Sequence, residues 1–248
     1  MDLQIEGKRA AIAAGTAGLG LGIAVALAEA GCQVVVCGRS AERLSFATDS
    51  IGHGARGFAC DVATDAGGRE FVLRSIDMLG GVDILVANGG GPPPGGFAST
   101  DEALYVEALQ KNLLSIVAMC TIAIPPMRER GWGRVLAITS STVRQPSPTL
   151  ILSNTARAGV TAYLKTVSRE VAGDGVTVNT IQPGIHLTDR ITQLAGPNPD
   201  AKSMGIPAGF IGDPGDFGRI GAFMCSESAK FMTGVNVNVD GGAYQGLI

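Results

Sequence analysis

Short apolar runs alternate with longer helical patterns along the whole chain. Seven runs predict β-strands: RAAIAAG (9–15), CQVVVCG (32–38), ARGFACD (55–61), VDILVAN (82–88), GRVLAITS (133–140), GVTVNTIQPG (175–184) and VNVNVDGG (235–242). Continuous rather than alternating apolar character is typical of strands covered on both faces in a parallel sheet. The intervening segments are long enough for helical crossovers, the first over about Gly18 to Ala30. The pattern predicts an α/β fold, a Rossmann-type doubly wound sheet of about seven strands, in a single domain over residues 1–248.

Composition narrows the class of protein. The net charge is −3 with acidic and basic residues interspersed, so no basic patch predicts nucleic-acid binding. The N-terminus lacks the pattern of a signal peptide, and no apolar run approaches the roughly 18 residues that span a bilayer. The five scattered cysteines contain no CxxC, which favours buried thiols over disulfides or metal ligands. We expect a cytoplasmic protein that binds small molecules and neither nucleic acid, membrane nor metal.

The segment AAGTAGLG (13–20) joins the first strand to the first helix. Glycines there permit a tight turn and close backbone approach, while the helix N-terminus offers N–H groups to a pyrophosphate. A tight strand–helix turn without a ligand is the alternative, but the position favours dinucleotide binding. The candidate contacts in this turn are Gly15, Thr16, Gly18, Leu19 and Gly20.

The end of the second strand indicates which dinucleotide is bound. A carboxylate at this position would hold the ribose 2′-hydroxyl of NAD, but the chain has Gly38 followed by Arg39 and Ser40. A guanidinium and a hydroxyl suit a 2′-phosphate, so NADP is favoured over NAD. The alternative is a surface arginine at a helix start. Asp61, followed by Val62, either reaches the adenine edge or caps the next helix.

These motifs resemble the short-chain dehydrogenase/reductase family over nearly the whole chain. The turn matches TGxxxGxG except that Ala13 and Ala14 replace its Thr-Gly, and VANGG (86–90) is similar to the family's NNAG motif. The sequences most similar within the family are labelled 3-oxoacyl-ACP-reductase-like. The resemblance implies a homo-oligomer, either a tetramer or a dimer. It adds further cofactor contacts: Asn88, Gly89, Gly90, Arg157, Pro183, Gly184, Ile185 and Thr188.

The resemblance also implies catalytic positions, and here the chain departs from the family. Ser140 ends the fifth strand and Asn112 lies in KNLLS, as the family pattern requires. The family's YxxxK pair is replaced by Ser153 and Arg157 within ILSNTARAG (151–159). In the family, the tyrosine exchanges a proton with the carbonyl oxygen, and the lysine binds the ribose and lowers the tyrosine's pKa. The spacing of four keeps both replacements on one helix face.

The substitution separates two roles. Arg157 can supply positive charge and bind the ribose, but a guanidinium pKa above about 12 makes it a poor proton donor. The hydroxyl of Ser153 is a much weaker acid than a tyrosine with a pKa near 10. Tyr163 and Lys165 lie roughly 15–18 Å further along the predicted helix, so they do not replace the pair. His186 has the pKa range for proton exchange, and the alternative is a loop histidine without a catalytic role.

Two hypotheses follow for the function. The first is an NADP-dependent oxidoreductase that interconverts a ketone and an alcohol. Ser140 and Ser153 would polarise the oxygen, Arg157 would supply charge, and Asn112 would support a water-mediated proton path. The alternative is a non-catalytic NADP-binding sensor or scaffold protein that keeps the fold. The sequence leaves the substrate and the direction of reaction open.

Overall fold

All seven predicted strands lie in one parallel sheet. The structure is a computed structural model that describes residues 2–247, the side chains of 194 and 195 excepted. The strands are β1 Arg9–Ile12, β2 Gln33–Gly38, β3 Arg56–Ala59, β4 Ile84–Ala87, β5 Gly133–Ile138, β6 Val176–Pro183 and β7 Asn236–Val239. Their order is β3-β2-β1-β4-β5-β6-β7, and every neighbouring pair is parallel. The predicted α/β fold class and strand number are therefore confirmed.

Eight α-helices connect and cover the strands among the described residues. They are α1 Gly18–Glu29, α2 Ala41–Ile51, α3 Asp65–Leu79, α4 Ala103–Leu109, α5 Ser115–Glu129, α6 Ile151–Val171, α7 Asp189–Ala195 and α8 Pro214–Met224. Side-chain caps fix three of the starts, since Ser40, Thr64 and Asp213 accept hydrogen bonds from N–H groups of the following turn. Thr64 caps α3, so the alternative that Asp61 caps this helix is wrong.

Two apolar layers hold the helices against the sheet. Side chains of α3, α5 and α6 pack on one face, and those of α1, α2 and α8 pack on the other. Strand β1 is continuously apolar over residues 10–12 because both of its faces are covered. Ala11 packs in the first layer, and Ala10 and Ile12 pack in the second. β1 ends at Ile12, three residues before the predicted end, because Ala14 turns the backbone with a φ of 47°.

One helical stretch corrects an expectation about membranes. The 27 residues Ala103–Glu129 are long and apolar enough, by length and composition alone, to cross a bilayer, and an 18-residue window within them has a mean hydropathy of 1.4. Half of this window is buried inside the fold. Ile116, Met119 and Ala123 of α5 belong to the core layer shared with α3 and α6. The stretch is therefore a core helix in this structure.

The packing of α1 on α8 gives a stability prediction. A Cβ at Gly218 in α8 would overlap the carbonyl of Gly22 in α1, so the two backbones meet without side chains between them. We expect Gly218→Ala to lower the free energy of unfolding by about 2 kcal/mol, because the added methyl group overpacks this contact. Gly173→Ala is the matched control, since a Cβ there meets nothing within 4 Å. Urea denaturation measures both variants, and equal losses would contradict this account.

Candidate active site

The site lies where the order of strands reverses. β1 pairs with β2 on one side and with β4 on the other, so the segments leaving β1 and β4 diverge at the carboxyl edge of the sheet. Such a switch point leaves a crevice in which open α/β sheets bind ligands. A cavity of about 410 Å³ adjoins it, between Gly18 and Gly22 of α1 and the segment around Thr188.

The glycine turn forms a cradle free of side chains. Gly18 has a φ of 55°, and Ala14, at the second position of the family's Thr-Gly, is also left-handed. A Cβ at Gly20 would lie 2.8 Å from the Ala14 oxygen and 2.9 Å from Nδ2 of Asn88. Ala17 is the N-cap residue of α1, and its side chain forms no capping hydrogen bond. The uncapped N–H groups and bare backbone fit a dinucleotide pyrophosphate.

The other predicted residues of the turn take different positions. The Gly15 N–H donates to the Cys37 carbonyl at 3.1 Å, so Gly15 packs the turn closely against β2. Thr16 lies beside Gly38, and Leu19 packs against the apolar layer shared by α1 and α8. Thr188 approaches the turn from the opposite wall, where a Cβ at Gly18 would lie 3.2 Å from its Cγ2.

The Thr16 side chain fills the space beside Gly38 at the end of β2, so position 38 has no room for a side chain of its own. A Cβ at Gly38 would lie 2.6 Å from both Cγ2 and Oγ1 of Thr16. Arg39 is exposed, and within residues 2–247 it forms no ion pair. Ser40 accepts a 3.3 Å hydrogen bond from the Arg43 N–H as the α2 cap, which leaves its hydroxyl proton available to a ligand oxygen.

The residues after β3 form a local turn and a contact with α5. Oδ1 of Asp61 accepts a 3.1 Å hydrogen bond from the N–H of Ala63, so the carboxylate closes a local turn. Val62 is buried, and its carbonyl accepts a 2.7 Å hydrogen bond from the Ser115 hydroxyl. An adenine contact by Asp61 and Val62 stays a prediction.

Asn112 sits in a local break of the helix that follows the loop after β4. A π-helical turn, Gln110–Leu114, separates α4 from α5, and such turns are frequent at functional sites. Nδ2 of Asn112 donates to the Gly90 carbonyl at 3.1 Å, and a Cβ at Gly89 would lie 3.4 Å from the Lys111 oxygen. Oδ1 of Asn112 is buried without a hydrogen-bond partner among the described residues. A buried amide oxygen of this kind is placed to bind a water or ligand donor.

Ser140 follows β5 and is already ordered by its neighbour. Its Oγ accepts a 3.2 Å hydrogen bond from the Thr142 N–H and lies 2.9 Å from the Thr142 hydroxyl. Ser153 and Arg157 share one face of α6, and both are buried. Within residues 2–247 the Ser153 hydroxyl forms no hydrogen bond.

Arg157 fastens α6 to the end of β5. Its Nη1 donates to the carbonyls of Ile138 and Thr139 at 2.7 and 2.8 Å. No carboxylate pairs with this guanidinium among the described residues. Burial, assisted by the charge of Arg190, lowers the pKa of Arg157 from its ordinary value to about 10. The guanidinium therefore keeps its charge at neutral pH.

Neither neighbour on α6 replaces the missing pair. Nζ of Lys165 donates to the Gly234 carbonyl at 2.8 Å, at the amino end of β7 rather than at the carboxyl edge of the sheet. Burial raises the pKa of Tyr163, which disfavours proton release there. These positions agree with the distances expected from helix geometry.

His186 is enclosed by apolar and backbone groups. Its ring packs edge-on against Phe217 at 4.9 Å between centroids, and a Cβ at Gly212 would lie 2.6 Å from it. Burial lowers the pKa of His186, despite the opposing contact of Nδ1 with the Gly184 carbonyl. A neutral, packed imidazole favours a structural role, and catalysis by His186 stays a prediction.

The segment that holds His186 is fixed by backbone contacts. The N–H of Gly184, which follows Pro183, donates to Val239 in β7 at 2.9 Å, and the Ile185 carbonyl accepts from Gly212 at 3.1 Å. This arrangement carries Thr188 across the crevice to the glycine turn.

Known proteins resemble this chain in sequence and in overall structure. A family model described as enoyl-(acyl carrier protein) reductase matches residues 13–244. The 3-oxoacyl-[acyl-carrier-protein] reductase FabG of Vibrio cholerae is 33% identical, covering 98% of this chain and 99% of that protein. The structure of L-sorbose reductase from Gluconobacter frateurii, complexed with NADPH and L-sorbose, superposes with a TM-score of 0.91 at 29% identity and covers both chains completely.

A second solved structure is similar over nearly the whole chain. A short-chain oxidoreductase from Pseudomonas aeruginosa PAO1, described as containing an atypical catalytic center, has a TM-score of 0.90 at 27% identity. The comparison covers 99% of this chain and all of that one. The chain described here belongs to the short-chain dehydrogenase/reductase family. This is a family of oxidoreductases that bind a nicotinamide cofactor.

Two features of the site were not found from the sequence. Arg190 reaches the loop after β4, where its Nη2 donates to the Pro92 carbonyl at 3.2 Å. Thr139 has a buried hydroxyl without a partner among residues 2–247. The only sequence feature that pointed to Arg190 was its position two residues after Thr188. Composition does not predict which neighbours the side chain of such a residue contacts.

Proposed function

We propose that the protein is an NADP-dependent oxidoreductase that interconverts a ketone and an alcohol with a Ser/Arg pair in place of Tyr/Lys. The observation that carries this proposal is the environment of Arg157. Within residues 2–247, its charge is buried without a counter-charge, on the same helix face as the Ser153 hydroxyl, which has no hydrogen-bond partner there. An unpaired buried charge costs several kcal/mol, so its retention points to a ligand that uses it.

The residues present fit an NADP molecule. The bare turn at Gly18 and Gly20 suits the pyrophosphate, and the loop around Asn88, Gly89 and Gly90 lies next to it. Exposed Arg39, the Ser40 hydroxyl and a position 38 without a carboxylate favour a 2′-phosphate. Pro183, Gly184, Ile185 and Thr188 would border the nicotinamide, which accepts or supplies the hydride when bound.

The chain's own residues would act on the oxygen of the substrate. The hydroxyls of Ser140 and Ser153 donate hydrogen bonds to the carbonyl oxygen, and Arg157 stabilises the negative charge that develops there. Ser153 is too weak an acid to supply the proton alone. A water held by Oδ1 of Asn112 would pass a proton to the Ser153 oxygen as that hydroxyl gives its own proton to the alkoxide, and bulk solvent would return a proton to this water.

Assembly and location belong to the same proposal. Val106 of α4 is 71% exposed and Leu114 is 43% exposed, so an apolar face near the site is available to a second copy. We infer a homo-oligomer, a dimer or a tetramer, in the cytoplasm, with a small carbonyl or alcohol compound as the substrate.

A substrate panel tests the activity. Wild-type protein with NADPH should turn over at least one class among aliphatic ketones, diketones, oxo acids and quinones above the rate without protein. Absorbance at the reduced nicotinamide band measures the rate, and equilibrium titration measures NADPH binding separately. Tight NADPH binding without turnover of any class would contradict the proposal.

The absence of the Tyr/Lys pair supports the second candidate function, a non-catalytic NADP-binding sensor or scaffold. The double variant Ser153→Tyr/Arg157→Lys separates the two functions. If the pair is a working variant, the wild type is active and the change damages it. If the protein is a scaffold, only the double variant gains turnover.

A further inference from the structure

A second arginine completes the rim of the proposed substrate site. Arg190 lies in the first turn of α7, and its Nη2 donates to the Pro92 carbonyl on the loop that follows β4. A Cβ at Gly91 would overlap the Arg190 guanidinium, so this glycine leaves room for it. The run of three prolines, residues 92–94, restricts the loop and keeps the accepting carbonyl in place.

The same loop is tied to the helix that bears the Ser/Arg pair. The Gly95 N–H donates to Thr149 at 2.8 Å, and the N–H of Ile151 donates back to Gly95 at 3.1 Å. Ile151 begins α6, two residues before Ser153. Nδ2 of Asn112 holds Gly90 at the other end of the loop. Arg190, Asn112 and the start of α6 therefore all contact one loop.

Positive charge in this site has no carboxylate to balance it among the described residues. Arg190 lies close enough to Arg157 for its charge to contribute to the lowered pKa of Arg157. Nearby carboxylates have other partners. Asp189 pairs with Arg43 at 3.5 Å, Asp213 caps α8, and Asp240 accepts from two backbone N–H groups.

We propose that the substrate is a carbonyl or alcohol compound that carries an anionic group, a carboxylate or a phosphate, and that Arg190 binds this group. The inference rests on the proposed function, since Arg157 and Ser153 would hold the reacting oxygen. A guanidinium presents paired donors that match either oxyanion, and Arg190 lies at the rim, where a substituent away from the carbonyl would be. Arg190 is thus a specificity-determining residue at the mouth of the site.

Matched substrate pairs test this inference. Acetoacetate is compared with methyl acetoacetate, and dihydroxyacetone phosphate with dihydroxyacetone, in the presence of NADPH. We expect the anionic member of one pair to be the better substrate of wild type. In Arg190→Met its kcat/KM should fall about 30-fold, mainly through KM, because a charge-assisted hydrogen bond contributes about 2 kcal/mol. The substrate pair whose preference is lost in Arg190→Met shows whether Arg190 binds a carboxylate or a phosphate.

Controls separate the role of Arg190 from other effects. Arg69→Met removes one positive charge from the exposed surface of α3 and should leave both pairs unchanged. Arg190→Lys keeps the charge and should retain part of the preference, which covers the case in which Arg190→Met does not fold. The dissociation constant of NADPH should stay within about threefold in Arg190→Met, since a 2′-phosphate or pyrophosphate role would raise it.

Direct binding distinguishes failure of this inference from failure of the proposed function. Saturation-transfer NMR with NADP⁺ present detects the four probes without turnover. Binding of an anionic probe that Arg190→Met abolishes, together with no turnover of any class in the substrate panel, would leave the anion site intact and refute the oxidoreductase. Turnover with no preference for either anion, equal binding within both pairs, or a loss confined to NADPH would overturn the inference about Arg190.

Discussion

Arg157→Met is expected to lower kcat for carbonyl reduction about 1000-fold, which is the size of effect seen when a donor to a developing oxyanion is removed. Methionine keeps much of the apolar volume of the side chain but removes the charge and both hydrogen bonds to the β5 carbonyls. Steady-state kinetics with the best substrate of the panel measures the loss. Circular dichroism and NADPH titration show whether the variant still folds and binds cofactor.

Arg157→Lys is the matched control for charge. A single ammonium cannot reproduce the fork of the guanidinium, so we expect a smaller loss, roughly 10–100-fold. The pKa of about 10 also predicts a pH profile, because kcat should fall as the pH rises through 10 and Arg157 loses its proton. A wild-type kcat in Arg157→Met would show that this charge has no part in the reaction.

The second large effect concerns cofactor choice at the end of β2. Gly38→Asp places a carboxylate where it repels a 2′-phosphate and binds the ribose hydroxyl of NAD. Its Cβ, however, would lie 2.6 Å from two atoms of Thr16. We therefore expect the single variant to bind both cofactors about tenfold or more weakly, because the clash distorts the glycine turn.

Removal of the Thr16 side chain should relieve that clash. In the double variant Gly38→Asp/Thr16→Ala, the ratio of the NADP and NAD dissociation constants should shift toward NAD by about 100-fold. Fluorescence titration of both reduced cofactors measures the ratio, with Thr16→Ala as the control. Arg39→Met should weaken NADPH alone. If it changes neither cofactor, Arg39 is a surface residue and the preference for NADP has another cause.

The strands could be predicted because burial on both faces leaves a continuous apolar run. Their ends could not be predicted as well. β1 stops at Ile12 because Ala14 adopts a left-handed conformation, which an alanine does not indicate by its identity. In the same way, both Asp61 and Thr64 are good cap residues, and only the backbone path shows that Thr64 caps α3.

Site features that depend on contacts between residues far apart in the chain could not be predicted from the sequence. The contact of Arg190 with Pro92 joins positions 98 residues apart, and the π-helical turn at Asn112 depends on how α4 and α5 pack. The pKa of Arg157 follows from its burial, which its spacing from Ser153 does not reveal. The face shared by Ser153 and Arg157 could be predicted, because a spacing of four has one geometry on a helix.

The Ser/Arg pair is proposed to support hydride transfer. The most direct test supplies wild-type protein with NADPH deuterated at C4, separately on each face, together with the carbonyl panel, and analyses the products by mass spectrometry and NMR. We expect deuterium on the carbinol carbon from one face only, and a rate of deuterium transfer about 1000-fold lower in Arg157→Met. Tight binding of both labelled cofactors with no deuterium in any product, while Ser153→Tyr/Arg157→Lys transfers it, would contradict the claim.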